Sequence, residues 1–262
     1  MKKNFVKEKI INGIPVFGTW NTLASPLVSE VMAHAGFDFL IIDFEHGPFV
    51  LSELHKYVNS CEGYSCSPIV RIPSKEYWMI QQALDQGSHG IILPGVQTSD
   101  DVSDFVKAVK YKPDGNRGFT PFTKAGGFTN INAKTYPKEA NDMTLTGIII
   151  ESMTALKNLD SILEIEGLDI IYFGAYDLSL ELGSPGDVFG KELIEMISSG
   201  IKKTIEAGKC PGGFVPQSVE KIKIIMDIGI KFITYNVDSA ILYHGVYDVL
   251  EAIRGHSKKL NE

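Results

Sequence analysis

Short apolar runs alternate with amphipathic segments along most of the chain, and this alternation predicts its elements. Residues 14–21 read as a first strand, and the segment 25–35 places Leu27, Val28, Val31 and Met32 at helical spacing. Residues 37–45, FDFLIIDFE, are almost continuously apolar, as in a parallel strand covered on both faces. Ser52 and Glu53 open a short second helix, 68–72 is a third strand, and 75–86 is its helix, stopped at Gly87. Residues 90–93 form a fourth strand ended by Pro94 and Gly95, with a helix over 99–110. A Gly-, Thr- and Asn-rich segment, 113–134, interrupts the rhythm. Strands then follow at 145–150, 168–173, 212–215 and 231–236, with helices at 154–163, 191–207, 218–228 and 240–254.

Eight strand-like runs, each followed by a helix-like run, predict an α/β fold: a single (β/α)8 TIM barrel over residues 1–262, near the usual ~250 residues. The segment 113–134 is expected as a long loop over the catalytic face. A doubly wound open sheet would want a glycine fingerprint after its first strand. Trp20-Asn21-Thr22-Leu23 has none, and no GxxxxGK[ST] loop occurs.

Composition then removes several functions. Hydrophobic residues at 44% and charged residues at 22% supply a sizeable core and argue against disorder. Lys+Arg 25 against Asp+Glu 32 leaves −7, and no basic run exceeds a pair, so a nucleic-acid partner is not expected. Cys61, Cys66 and Cys210 suggest neither a disulfide framework nor a zinc site and read as free thiols. No apolar stretch approaches the roughly 18–20 residues that span a bilayer. The N-terminus turns charged before any signal-length run. A soluble, cytoplasmic chain with no membrane partner is expected.

In a barrel the C-terminal ends of the strands form the catalytic face. Here those ends carry Trp20, Asp43-Phe44-Glu45-His46, Arg71, Glu151, Gly174-Ala175-Tyr176-Asp177, Asn236 and Asp238. Glu151 and Asp177, from adjacent strands and without Cys or His beside them, are hard oxygen donors suited to Mg²⁺ or Mn²⁺. They also suit a salt bridge at the rim and the N-cap of the turn 178–180. Arg71 is placed to hold a developing enolate oxygen, or to bridge Glu45 or Glu151. His46 precedes Gly47-Pro48, and an imidazole ordinarily titrates near pH ~6.5, which suits proton transfer; a capping or merely exposed histidine is the alternative. No strand carries a lysine at its catalytic end, so metal chemistry is favoured over a Schiff base, and no GxSxG elbow offers a serine nucleophile.

These residues resemble the HpcH/HpaI family of class II pyruvate-dependent aldolases. The resemblance rests on Gly18-Thr19-Trp20, the run from Ala35 to His46 with its Asp-x-Glu-His, Val70-Arg71, Ala83-Leu84-Asp85-Gln86-Gly87, Gly90–Leu93 with Pro94, Arg117-Gly118, Glu151 and Gly174-Ala175-Tyr176-Asp177-Leu178-Ser179. It extends from about residue 12 to 250. It implies a barrel of the phosphoenolpyruvate/pyruvate-domain type, assembled as a homohexamer (a trimer of dimers) with a C-terminal helix exchanged between neighbours. It further implies divalent-metal-dependent (Mg²⁺, Mn²⁺ or Co²⁺), reversible cleavage of a 4-hydroxy-2-oxo acid to pyruvate and an aldehyde. By position, Glu151 and Asp177 are the metal ligands, His46 the acid/base, and Arg71 the enolate-stabilising residue. Asp85 pairs with His46, and Trp20, Gly174, Tyr176 and Asp177 contact substrate. Two positions depart from the pattern. Ile149 stands where many members have a glutamine, and Tyr176 stands where a small residue precedes the metal-binding aspartate.

The expected activity is therefore a metal-dependent carbon–carbon lyase. A related enolate-forming enzyme (a sugar-acid aldolase, CoA-thioester lyase or oxo-acid decarboxylase) is the second reading. For CoA, only Lys75, Arg117 and Lys124 offer a basic rim. A non-catalytic oxo-acid-binding barrel is the third.

Overall fold

The computed structural model describes residues 3–260. Eight parallel strands, β1 (Val16–Asn21), β2 (Phe39–Asp43), β3 (Ser67–Arg71), β4 (Gly90–Leu93), β5 (Leu145–Ile150), β6 (Ile170–Phe173), β7 (Cys210–Val215) and β8 (Phe232–Val237), close in sequence order into a barrel. The (β/α)8 expectation is met. A first helix, α1 (Phe5–Ile11), precedes β1. The strand-connecting helices are α2 (Pro26–His34), α3 (Leu54–Glu62), α4 (Tyr77–Asp85) and α5 (Ser99–Val109) with α6 (Tyr136–Met143), then α7 (Met153–Lys157) with α8 (Leu159–Leu163). After β6 come α9 (Ala175–Glu181) and α10 (Lys191–Glu206), then α11 (Val219–Asp227), and α12 (Asp238–Leu260) is the last described element.

The strands are buried along most of their length, because each feeds two apolar layers. Phe39, Ile41, Ile69, Ile92, Ile170 and Phe232 point into the barrel, where Phe39 and Phe232 stack with centroids 4.0 Å apart. The alternate residues, such as Ile42, Val70, Ile91 and Ile148, pack under the helices. Gly18 permits this interior, since a Cβ there would meet the Phe39 ring at 2.4 Å. The barrel closes between β1 and β8 with a break in register. Gly18 pairs with Thr234 but Trp20 with Val237, so β8 carries one extra residue. Asn236 absorbs it at φ 55, a backbone state that Asn tolerates better than most side chains, in the manner of a β-bulge beside a functional mouth.

At the opposite end, α1 plugs the barrel floor. Asn4 Nδ2 donates to the carbonyls of His89 and Met143, both at 2.9 Å. Lys7 Nζ donates to Thr144 O at 2.9 Å and to Asp169 Oδ2 at 3.1 Å. Lys110 Nζ shares the Thr144 carbonyl at 3.0 Å and reaches Asn141 O at 2.7 Å.

The segment 113–134 does not lie over the catalytic face as expected. It follows α5, and a helix that runs back along a parallel barrel delivers its C-terminus to the N-terminal ends of the strands. From there the segment passes along α4, with Gly118 N donating to Tyr77 Oη at 2.5 Å. It ends against the termini of α3 and α4, through Lys124–Glu62 at 2.9 Å and Ala125 N to Asp85 O at 3.1 Å. The helix expected over 154–163 is divided at Asn158, whose side chain turns away to donate to Gln97 O at 2.8 Å. No helix among the described residues is long and apolar enough to cross a membrane.

Candidate active site

A cavity of about 540 Å³ opens at the C-terminal ends of the strands, and Trp20, His46, Arg71, Glu151, Gly174, Tyr176 and Asp177 all line it. Seven of the eight residues proposed from sequence thus share one mouth.

The β2–β3 side is organised by Asp43, which ends β2 and is buried. Its Oδ1 accepts from Arg71 Nε at 2.8 Å and its Oδ2 from Arg71 Nη2 at 2.5 Å. The same Oδ1 accepts the backbone N–H groups of Glu45 (3.1 Å) and His46 (3.2 Å), which fixes the turn that presents the imidazole. Arg71 Nη1 lies 2.9 Å from Glu45 Oε2, and the guanidinium lies over the Trp20 ring at 4.3 Å. A guanidinium has five N–H donors. Two go to Asp43 and one faces Glu45, so two remain for a substrate oxygen. Arg71 does bridge Glu45, as the alternative reading allowed, without being used up by it.

The Trp20 indole Nε1–H is held by Thr234 Oγ1 (3.2 Å) and Tyr172 Oη (3.3 Å), which are themselves 2.5 Å apart. Burial pushes the Tyr172 phenol up to about 12, against the opposing hydrogen bonds from Thr234 and Trp20. It stays protonated at neutral pH and serves as a floor, not a base. Nothing in the sequence marks Tyr172, because an inward-facing residue of a buried strand carries no local sign of lining a cavity.

Opposite stand the two proposed ligands. Glu151 follows β5, and its Oε1 accepts the Gly95 N–H at 2.6 Å. Burial raises its pKa; Asp177 and Glu45 add to the rise, while the Gly95 N–H and Arg71 oppose it. Asp177 is the third residue of α9, capped by Gly174, and so does not N-cap a turn over 178–180. Gly174 lets this backbone approach, since a Cβ there would sit 2.8 Å from Glu151 Cβ. Glu151 is partly buried and Asp177 exposed, and neighbouring carboxylates of this kind favour a bound cation. Among the described residues no three or more His, Cys, Asp or Glu side chains cluster to hold a metal. The protein would supply two oxygen ligands and leave the rest to water and substrate, as Mg²⁺ prefers.

Asp85 is the exception. It ends α4, at the N-terminal end of the barrel, and its Oδ1 accepts from Arg117 Nη2 at 2.6 Å. His46 follows the C-terminal end of β2, so one chain does not bring the two together; the nearest acid to its ring is Glu45, at 3.9 Å. The basic rim considered for CoA is not assembled either. Lys75 pairs with Asp101 at 2.7 Å, Arg117 with Asp85, and Lys124 with Glu62, and none lines the cavity. Asp238 is structural: its carboxylate accepts from Asn21 Nδ2 (2.6 Å) and the amides of Thr22 and Leu23 (2.9 Å each), tying β1 to α12.

The sequence profile of the HpcH/HpaI aldolase/citrate lyase family matches residues 17–244. A hydroxypyruvate/pyruvate aldolase of Roseobacter denitrificans is 32% identical over 240 residues, 91% of this chain and 93% of that protein. A 4-hydroxy-2-oxo-heptane-1,7-dioate aldolase of Salmonella arizonae is 33% identical over 260 residues, 99% of this chain and 97% of that protein. The crystal structure of an HpcH/HpaI aldolase from Desulfitobacterium hafniense matches with a TM-score of 0.90 at 28% identity, over 95% of this chain and 96% of the other.

Proposed function

The chain belongs to the HpcH/HpaI aldolase/citrate lyase family, and from that premise we propose that it is a divalent-metal-dependent aldolase cleaving a 4-hydroxy-2-oxo acid to pyruvate and an aldehyde. The observation that carries this reading is the facing of Arg71, with two N–H donors to spare, and the Glu151–Asp177 carboxylates across one cavity that His46 also lines. A dication held by Glu151 and Asp177 would supply Lewis acidity to the 2-oxo group and offset the crowding of acids.

The chain's own residues account for the remaining steps. His46 takes the proton of the substrate C4 hydroxyl, directly or through a bound water. The C3–C4 bond breaks, the aldehyde departs, and the electron pair moves onto the C2 oxygen. Arg71 donates to that oxyanion from a position preset by Asp43, Glu45 and the Trp20 face, so little reorganisation is needed at the moment of reaction. A proton returned to C3 completes pyruvate. Tyr172 and Thr234 act at one remove, by fixing Trp20. No step is assigned to Asp85 of the same chain, which lies at the other end of the barrel.

The three buried, free cysteines support a reducing, cytoplasmic setting. The exposed apolar residues of α12 support a homo-oligomer. The deciding experiment measures pyruvate release from a panel of 4-hydroxy-2-oxo acids with Mg²⁺, Mn²⁺ or Co²⁺, before and after a chelator. Turnover that stops with chelator and returns with metal is expected. Turnover indifferent to chelation, or none with any 2-oxo acid, would overturn the proposal.

A further inference from the structure

One buried polar side chain of the cavity takes no part in the aldol chemistry. Asn236 lines the mouth from β8 and is only 6% exposed. Its backbone carbonyl accepts from Thr19 Oγ1 at 3.2 Å, but its carboxamide has no hydrogen-bond partner among the described residues. The neighbouring neutral groups are already engaged. Thr22 Oγ1 donates to Asp238 Oδ1 at 2.8 Å. Tyr172 Oη lies 2.5 Å from Thr234 Oγ1 and accepts the Trp20 indole N–H at 3.3 Å. Buried polar groups are ordinarily paired. Asn236 is covered by its own chain on every side but the cavity, so what pairs with its amide enters through the cavity.

The fold does not call for this side chain. The bulge between β1 and β8 needs a residue that accepts φ 55, and glycine does so at lower cost than any residue with a Cβ. Asparagine is suited to that backbone partly because its short side chain can bond the chain beside it. Here it does not. The bulge thus sets a carboxamide on the cavity wall with two N–H donors and a carbonyl oxygen open. A carboxylate could only accept from it, and an ammonium could only donate to it. A hydroxyl does both.

We infer that Asn236 is a substrate-binding residue that recognises an uncharged hydroxyl on a carbon next to C4. That hydroxyl lies on C3 if the oxo acid brings it, and on C5 if the aldehyde does. The inference rests on the aldolase reading and names the substrate class of that site.

The test exchanges the hydroxyl for a methyl group of similar size, on the full chain with Mn²⁺. In the first arm hydroxypyruvate is compared with 2-oxobutanoate as the nucleophile, with acetaldehyde as acceptor. In the second, glycolaldehyde is compared with propanal as the acceptor for pyruvate. Intrinsic reactivity differs within each pair, so the quantity read is the change in the kcat/KM ratio between wild type and variant. Asn236→Gly suits the bulge and should not lower the melting temperature, while Asn236→Ala keeps a Cβ and controls for added backbone freedom. Both variants are expected to lower the hydroxyl-to-methyl ratio about tenfold in at least one arm, the upper end of what a neutral hydrogen bond contributes. A fall in the first arm assigns the hydroxyl to C3, and a fall in the second to C5.

Exchange of the pyruvate methyl protons with deuterium, followed by NMR without any aldehyde, reports on the enolate chemistry alone. Calorimetric titration reads the same ratios without turnover, with the two oxo acids added to protein and Mn²⁺ and the two aldehydes added to protein saturated with oxalate and Mn²⁺. Exchange present with both turnover ratios unmoved overturns the role of Asn236 and leaves the aldolase reading standing. Exchange absent with a binding ratio that still depends on Asn236 does the reverse. Ratios unmoved in binding and in turnover alike overturn the role of Asn236 whatever the exchange result.

Discussion

Asp43 shows how one buried carboxylate can set two functional groups at once. It clamps Arg71 through both oxygens and, through Oδ1, orders the backbone that carries His46. Lysine cannot reproduce a bidentate fork or lie flat on Trp20. Arg71→Lys should therefore lower kcat by about 10²–10³ while KM changes little, the range for loss of one preorganised oxyanion donor. Steady-state kinetics on any cleaved substrate checks it. Arg71→Met should also destabilise the fold by about 3–5 kcal/mol, because it leaves Asp43 buried and unpaired; urea melts would show this. For Glu151 the balance is reversed. Burial and neighbouring acids raise its pKa, so its charge is a burden to the metal-free protein. In Glu151→Gln the Gly95 N–H can still be accepted. The melting temperature in chelator is expected to rise, and the shift produced by added Mn²⁺ to disappear.

Among the elements, those with strong periodicity were legible and those fixed by distant partners were not. Gly90–Leu93 and Leu145–Ile150 stand where the apolar runs put them, and Arg71 and Glu151 were found because a buried parallel strand makes the first polar residue after it conspicuous. The α1 plug was missed. Its seven residues include three charges, and what holds it is tertiary, since Asn4 and Lys7 bond carbonyls more than eighty residues away. The placing of 113–134 failed for a related reason: loop composition says nothing of which barrel end a connection serves. The plug also carries a titration. Burial and the neighbouring Lys7 lower the Lys110 pKa to about 8, against the pull of Asp169. Between about 8 and the ordinary lysine value the unfolded chain binds a proton that the folded one does not. Stability from this group therefore rises with pH through that window, by at most ~1.36 kcal/mol per unit. Subtracting the melts of Lys110→Met from wild type across pH 7.5–10.5 should isolate that slope. A difference flat with pH would refute it.

At the scale of the whole molecule, two facts bear on each other. The exposed face of α12 carries Leu242, Tyr243, Val246, Tyr247, Leu250 and Ile253 at helical spacing, a continuous apolar stripe that an isolated barrel would present to water. And the Asp85–His46 pair that the family resemblance implies is split between opposite ends of one barrel. The two agree if chains associate so that Asp85 of the partner subunit approaches His46. Such an arrangement makes a prediction that no single-chain site can satisfy. His46→Ala and Asp85→Ala should each be nearly inactive, yet mixing them under subunit exchange should restore part of the activity, because some sites then combine an intact His46 with an intact Asp85. Tyr247→Glu with Leu250→Glu, which places charge in the stripe, should shift the sedimentation coefficient toward that of a monomer and abolish the complementation. If the wild-type chain sediments as a monomer at micromolar concentration, or if the mixture stays as inactive as its parts, His46 must work without Asp85, with Glu45 the nearest acid to its ring.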